Sequence, residues 1–242
     1  MIKRTFFALL FILSTATAAL ADFDKGFQAY NEKNWVQAIY YLRPLAETGD
    51  DKALLLLGNM YLQGYGVERD PSEAMRLYRK AAINNNVEAT VVIATMYQQG
   101  IGVTKNYRTA AEWYKRAADM GHSVGTFGYA MLMYMGSQGE EDVRLNPDHV
   151  ASYKWFRITQ NLSKTKVSAR AKAMADRLAT QLQKAEVEKA DAEVAAWKPA
   201  DVKNLPPIPQ EPVKSEKPKV GSAPEKPAAA VSSPETKGSG KN

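Results

Sequence analysis

Between Asp51 and His122 the chain spells one unit twice, and this repetition restricts the fold more than any other feature. Laying residues 51–86 over 87–122 brings like residues together at a spacing of 36. Ala53 falls on Ala89, Leu57 on Ile93, Gly58 on Ala94 and Tyr61 on Tyr97. Gly64-Tyr65-Gly66-Val67 falls on Gly100-Ile101-Gly102-Val103, Asp70 on Asn106, Ala74 on Ala110, Tyr78 on Tyr114 and Ala81-Ala82 on Ala117-Ala118. A period within about 20–50 residues marks a stacked array, in which each unit buries its apolar face against its neighbours. The expected fold is all-α, an α/α solenoid of helical hairpins.

The residue types within the unit explain how such hairpins pack. Ala53, Gly58, Ala74 and Ala81 let neighbouring helices approach, while Leu57, Tyr61 and Tyr78 fill the space between them, and the second copy alternates in the same way. Gly64 and Gly66, like Gly100 and Gly102, mark the turn inside each hairpin, where glycine takes positive φ without strain. Asp70 is the expected N-cap of the following helix, with Pro71 at its first position.

A third copy begins at Ser123. Gly125 lies over Ala89, Ala130 over Ala94 and Gly136 over Gly100, but the second glycine is missing. Ser137 to Pro147 carries about six extra residues before Asp148 re-enters the pattern, and Ser152, Trp155 and Phe156 then match Ala110, Trp113 and Tyr114. Insertions in repeats map to surface loops, often on a binding face. This one, with Gly139, Glu140, Glu141 and Asp142, reads as a short acidic mobile loop, through neutral drift or through function. Before the clear repeats, residues 22–50 read as a divergent first hairpin with a break near Lys33-Asn34 and an end at Gly49-Asp50. The repeats thus divide as 22–50, 51–86, 87–122 and 123–164.

Both ends depart from the repeat pattern. Lys3 and Arg4, the apolar run Phe6–Leu13 and the small-residue site Ala19-Leu20-Ala21 form a secretory signal, so 1–21 is expected to be removed. That run is well short of the ~20 apolar residues of a spanning helix. No later segment is apolar enough to span a bilayer, so no membrane span is expected after cleavage. The expected location is periplasmic or secreted. Residues 165–197, rich in alanine and charge, suit terminal capping helices, and Thr180-Gln-Leu-Gln183 fits a capping box that would split them in two. From 198 to 242 prolines alternate with Lys, Glu, Ser and Ala, and ordering each residue would cost about 1–2 kcal/mol with little to bury. This stretch is expected to be a disordered, basic tail.

Composition narrows the function. The 242 residues carry a net charge of +6 and no cysteine. Two of the positive charges leave with the signal, and most of the remaining excess sits in the tail. Such scattered charge does not make the clustered basic face that nucleic acid needs. Without disulfides, stability must come from helix packing. His122 and His149 are the only histidines. His122 follows Gly121 at a repeat junction and reads as structural, and His149 starts the second helix of the third repeat beside the insertion. The sequence has no His-Glu-x-x-His and no Gly-x-Ser-x-Gly, and the paired glycines lack the Lys-Ser/Thr of a phosphate loop. No catalytic, cofactor-binding or metal-binding residues are therefore expected.

The unit Ala-x-x-x-Leu-Gly-x-x-Tyr-x-x-Gly-x-Gly-Val-x-x-Asp-x-x-x-Ala-x-x-x-Tyr-x-x-Ala-Ala, seen at Ala53–Ala82 and nearly again at Ala89–Ala118, resembles the Sel-one-like repeat, a relative of the tetratricopeptide repeat. The resemblance covers roughly 22–197. It implies a right-handed superhelix acting as a non-enzymatic protein-interaction adaptor, in bacteria often in the cell envelope. Some cysteine-rich exported relatives are linked to β-lactam hydrolysis, and a chain without cysteine does not fit that branch. By resemblance to tetratricopeptide arrays, the first helices line a concave groove. The positions this selects are Leu55, Asn59, Leu62 and Gln63; Val91, Thr95, Gln98 and Gln99; and Phe127, Met131, Tyr134 and Met135. The same residues could instead pack beneath the C-terminal helices. The expected partner is a protein or peptide of the envelope. The alternatives are a structural envelope protein whose basic tail contacts peptidoglycan or anionic polymer, and a hydrolase acting on wall or β-lactam substrates.

Overall fold

The computed structural model describes residues 22–136, 145–162, 164–205 and 208. The signal segment, the acidic insertion at 137–144 and the tail beyond Ile208 lie outside the described residues. Helix α1 covers 22–31, followed by α2 (Trp35–Glu47), α3 (Asp51–Gln63), α4 (Pro71–Ile83), α5 (Val87–Gln99) and α6 (Tyr107–Asp119). Then come α7 (Ser123–Met135), α8 (His149–Leu162), α9 (Lys166–Ala179), α10 (Lys184–Ala196) and a 3-10 turn at Val202–Asn204. Each helix packs chiefly on the next in sequence, and at the C-terminal end α9 and α10 both fold back onto α8. This is an α/α solenoid.

Helices α2 to α7 are each 13 residues long, so the hairpins stack in register. Inside each clear hairpin the first helix ends on a left-handed glycine, Gly64 or Gly100, with φ of 77° and 74°. The next helix is capped as expected: Asp70 accepts from the Ser72 and Glu73 amides at 2.9 and 3.0 Å, and Asn106 accepts from Thr109 at 2.9 Å. A backbone bond closes each turn, from Asp70 to the Tyr61 carbonyl and from Asn106 to Tyr97, both 2.9 Å. In the third repeat Asp148 donates to Met133 at 2.7 Å, so the insertion leaves and rejoins the same closure.

The junctions between hairpins also recur. Gly49, Asn85 and Gly121 take φ of 94°, 63° and 79°. Asp50, Asn86 and His122 then cap α3, α5 and α7, accepting from the amides of Ala53, Ala89 and Gly125 at 2.8, 2.8 and 3.2 Å. Asn84 donates to the Gly49 carbonyl and Asn86 to the Asp51 carboxylate, both at 2.8 Å, tying one junction to the next. On the helices, Arg79 sits 5.9 Å over the Trp113 ring, and the equivalent Lys115 sits 5.1 Å over Trp155. Each cation therefore reaches into the following repeat.

His122 is thus a helix cap, and its Nδ1 must be unprotonated to accept from Gly125. Burial lowers its pKa, with Glu88 partly opposing. Because the folded-state pKa lies below the unfolded value of about 6.5, the neutral ring's contribution is complete above that value. It is lost as the pH falls through the folded-state pKa. His122→Asn installs the residue used at Asn86 and should keep the cap while removing this pH dependence. His122→Ala should cost about 1 kcal/mol even at neutral pH. Urea midpoints on both sides of the window check this, and an Asn variant with the original pH slope would refute it.

Sequence expectation and structure differ in two places. Thr180 does not open a helix: it is the C-cap of α9, its hydroxyl donating to the Arg177 carbonyl at 2.7 Å. The last helix starts at Lys184, where Glu186 accepts from the Gln183 amide at 2.9 Å. In addition, the stretch assigned by composition to the tail touches the array at its start, with Ala200 donating to the Asp119 carbonyl at 2.7 Å and Ile208 packed on the core.

Candidate functional site

The positions singled out on the first helices recur at a spacing of 36 and share one face of α3, α5 and α7. Their accessibility repeats too. Leu55, Val91 and Phe127 are half-buried, as are Asn59, Thr95 and Met131, and Leu62, Gln98 and Tyr134. Gln63, Gln99 and Met135 are exposed. The spacing i, i+4, i+7, i+8 on three equivalent helices makes one continuous stripe, without a charged side chain at any of these positions.

Behind the stripe lies a layer of aromatic residues from the second helices. The Tyr78 hydroxyl donates to Asn59 Oδ1 at 2.8 Å. The Tyr114 hydroxyl donates to Gln98 Oε1 at 3.0 Å and lies 2.9 Å from the Thr95 hydroxyl. Burial raises both phenol pKa values, so these groups stay protonated as donors. In the third repeat Phe156 replaces the tyrosine, and Met131 stands where Asn59 and Thr95 stand. The hydroxyl and its partner are lost together, and Met131 packs on the cluster that contains Phe156. A buried hydroxyl facing a methionine would lack a partner, so the exchange of both members is consistent.

Not every position is equally open. Phe127 packs on Phe156 at 5.5 Å and lies 5.6 Å beneath Arg170 of α9, so this part of the stripe is under a C-terminal helix. Tyr134 stacks against His149 at 5.6 Å. Met135 is 51% exposed at the end of α7, and Val124, 46% exposed, extends the stripe at its start. Val124 was not singled out from sequence because its counterparts Lys52 and Glu88 are charged; its place one turn before Phe127 was the available signal. The tyrosine layer was also missed as part of the site, although Tyr78, Tyr114 and Phe156 change in step with Asn59, Thr95 and Met131.

A second concavity of about 750 Å³ opens where α8 begins, lined by Arg108, Met133, Leu145, His149, Leu182 and Glu186 among others. No nucleophile with a hydrogen-bonded base lies in it. Among the described residues no His, Cys, Asp or Glu cluster could hold a metal, and no helix is long and apolar enough to cross a membrane.

The stacked helical hairpins form an α/α solenoid with an uncharged stripe along its first helices. Residues 51–86 and 87–122 match the Sel1 repeat family, so the chain carries two Sel1 repeats. The fold is shared with a Sel1 repeat protein from Oxalobacter formigenes at 22% identity and a TM-score of 0.55, covering 71% of this chain and 68% of that one. It is also shared with a protective antigen of uropathogenic Escherichia coli displaying an SLR fold, at 21% identity and a TM-score of 0.58. That alignment covers 74% of this chain and 38% of the antigen, so the chain spans well under half of the antigen's length. No curated protein matches the chain. Sel1 repeats generally serve as scaffolds for protein–protein interaction and are typically non-catalytic.

Proposed function

We propose that this protein is a non-enzymatic scaffold that holds a protein or peptide of the cell envelope along the stripe of α3, α5 and α7, and that it works in the periplasm after loss of residues 1–21. The observation that carries this reading is the recurrence, on three helices, of the same half-buried, uncharged positions backed by an ordered aromatic layer. Uncharged amides beside methionine suit an extended peptide, because amides bond to backbone and methionine adapts to varied side chains. The location rests on the Lys3-Arg4 and Phe6–Leu13 pattern.

Gln63, Gln99 and Met135 are the exposed members, so they can be changed without disturbing the core. The triple variant Gln63→Glu, Gln99→Glu, Met135→Glu should keep its helicity, with an unfolding free energy within about 0.5 kcal/mol of wild type. It should lose at least tenfold in retention of the envelope partner captured by crosslinking to the wild-type protein. A folded variant that captures the same protein equally well would remove the stripe from the site. Retention on purified peptidoglycan instead, abolished by ending the chain after Ile208, would move the function to the tail.

A further inference from the structure

The segment after α10 crosses the edge of the array and joins its two cores. Trp197 leaves the helix in extended geometry, φ −70° and ψ 138°, and packs edge-on to Trp155 at 6.1 Å in the C-terminal cluster. Ala200 then donates to the Asp119 carbonyl at 2.7 Å, and Ile208 packs on the cluster formed by the earlier repeats.

Comparison of the three junctions shows what the contact uses. At each, three backbone amides fold back in the same pattern, from Thr48, Gly49 and Asp50; from Asn84, Asn85 and Asn86; and from Met120, Gly121 and His122. In every case the last helical residue, Glu47, Ile83 or Asp119, contributes a carbonyl that the junction does not use. Among the described residues, only at Asp119 does a distant amide take it. The left-handed position is glycine at 49 and 121 but asparagine at 85, so this φ alone does not require glycine. At Gly121 there is a further reason: a Cβ would lie 3.0 Å from Pro199 Cγ and 3.3 Å from its Cβ. Bare glycine beside a spare carbonyl makes a seat for a proline followed by an amide donor. Proline also restricts Lys198 to extended geometry, which lowers the entropy lost on docking.

We propose that the α6–α7 junction is a docking site for an extended proline-bearing segment, and that its occupant is this chain's own strap, residues 197–205 with Ile208. The strap latches the last two repeats together and withholds the seat from other peptides until it is released. The inference is independent of the stripe on the first helices, since a different edge and different residues carry it.

The test uses the full chain and a synthetic peptide of residues 196–209. In wild-type protein the Ala200 amide should exchange at least about tenfold more slowly than in the free peptide, independently of protein concentration. Gly121→Asn, which copies Asn85, should leave helicity unchanged and bring Ala200 exchange to the free-peptide rate. Ala200→Pro removes the donor on the strap but leaves the seat, so this chain should bind the added peptide, and wild type and Gly121→Asn should not. Free-peptide exchange in the wild-type chain would overturn the proposal. So would protection that appears only as concentration rises, which would assign the strap to a second copy. Failure of the Ala200→Pro chain to bind the peptide would overturn the docking site itself. If Gly121→Asn lost its helicity, the wild-type exchange and the Ala200→Pro arm would still decide.

Discussion

Replacing Trp113 with alanine should lower the unfolding free energy by about 3–5 kcal/mol, read from urea denaturation by far-ultraviolet circular dichroism. Trp113 is 2% exposed within the core of the early repeats. Its ring also receives Arg79 from the preceding repeat, 5.9 Å above it. Alanine would remove both the packing and the cation's partner at a joint between units. In an array where each unit leans on its neighbours, a broken joint also weakens cooperation along the chain. Leu77 occupies the equivalent position one repeat earlier, so Trp113→Leu should be tolerated far better and recover more than half of the loss. A loss under about 1 kcal/mol for the alanine variant would mean that the joint does not depend on this side chain.

Gly102→Ala should cost about 2–4 kcal/mol, well beyond the same change at Gly100, because two effects add. Both glycines have positive φ, 68° and 74°, where a side chain is strained. At Gly100 a Cβ would meet the Lys105 Cβ at 3.2 Å, within the same turn. At Gly102 it would lie 2.8 Å from Pro71 Cβ and 2.9 Å from the Pro71 carbonyl carbon and oxygen, the backbone that opens α4 of the previous repeat. That backbone cannot move without shifting α4. The difference between the two variants, measured by the same denaturation, isolates the inter-repeat contact. Equal losses would show that conformation alone demands the second glycine.

These two glycines also show why so much of the fold was readable. Each faces a demand that no other residue meets well, so the glycine pair marks the turns of the two clear hairpins directly in the sequence. The third repeat was readable across its insertion because Asp148 returns to the closing bond, here with Met133. Thr180 misled because a hydroxyl can cap either end of a helix, by accepting from amides at the start or by donating to a carbonyl at the finish. The strap was invisible for a different reason: one amide and one isoleucine leave no periodic trace. The fate of Phe127 was equally hidden, since it depends on where α9, more than 35 residues further on, comes to rest. The stripe's positions could be placed by register, while their partners on the second helices needed the packed structure.

The tyrosines behind the stripe also give it a direction. Asn59 and Gln98 each have one accepting oxygen and one donating nitrogen, and in both the oxygen is already bound to a phenol. The phenols thereby fix which way each side-chain amide faces, and the Asn59 amide also bonds to the Tyr30 hydroxyl. Across the first two clear repeats, then, half-buried amides of fixed orientation stand beside the exposed amides of Gln63 and Gln99, which can both give and receive hydrogen bonds. In the third, where phenylalanine stands behind methionine, no amide is fixed in this way and Tyr134 supplies the stripe's hydroxyl.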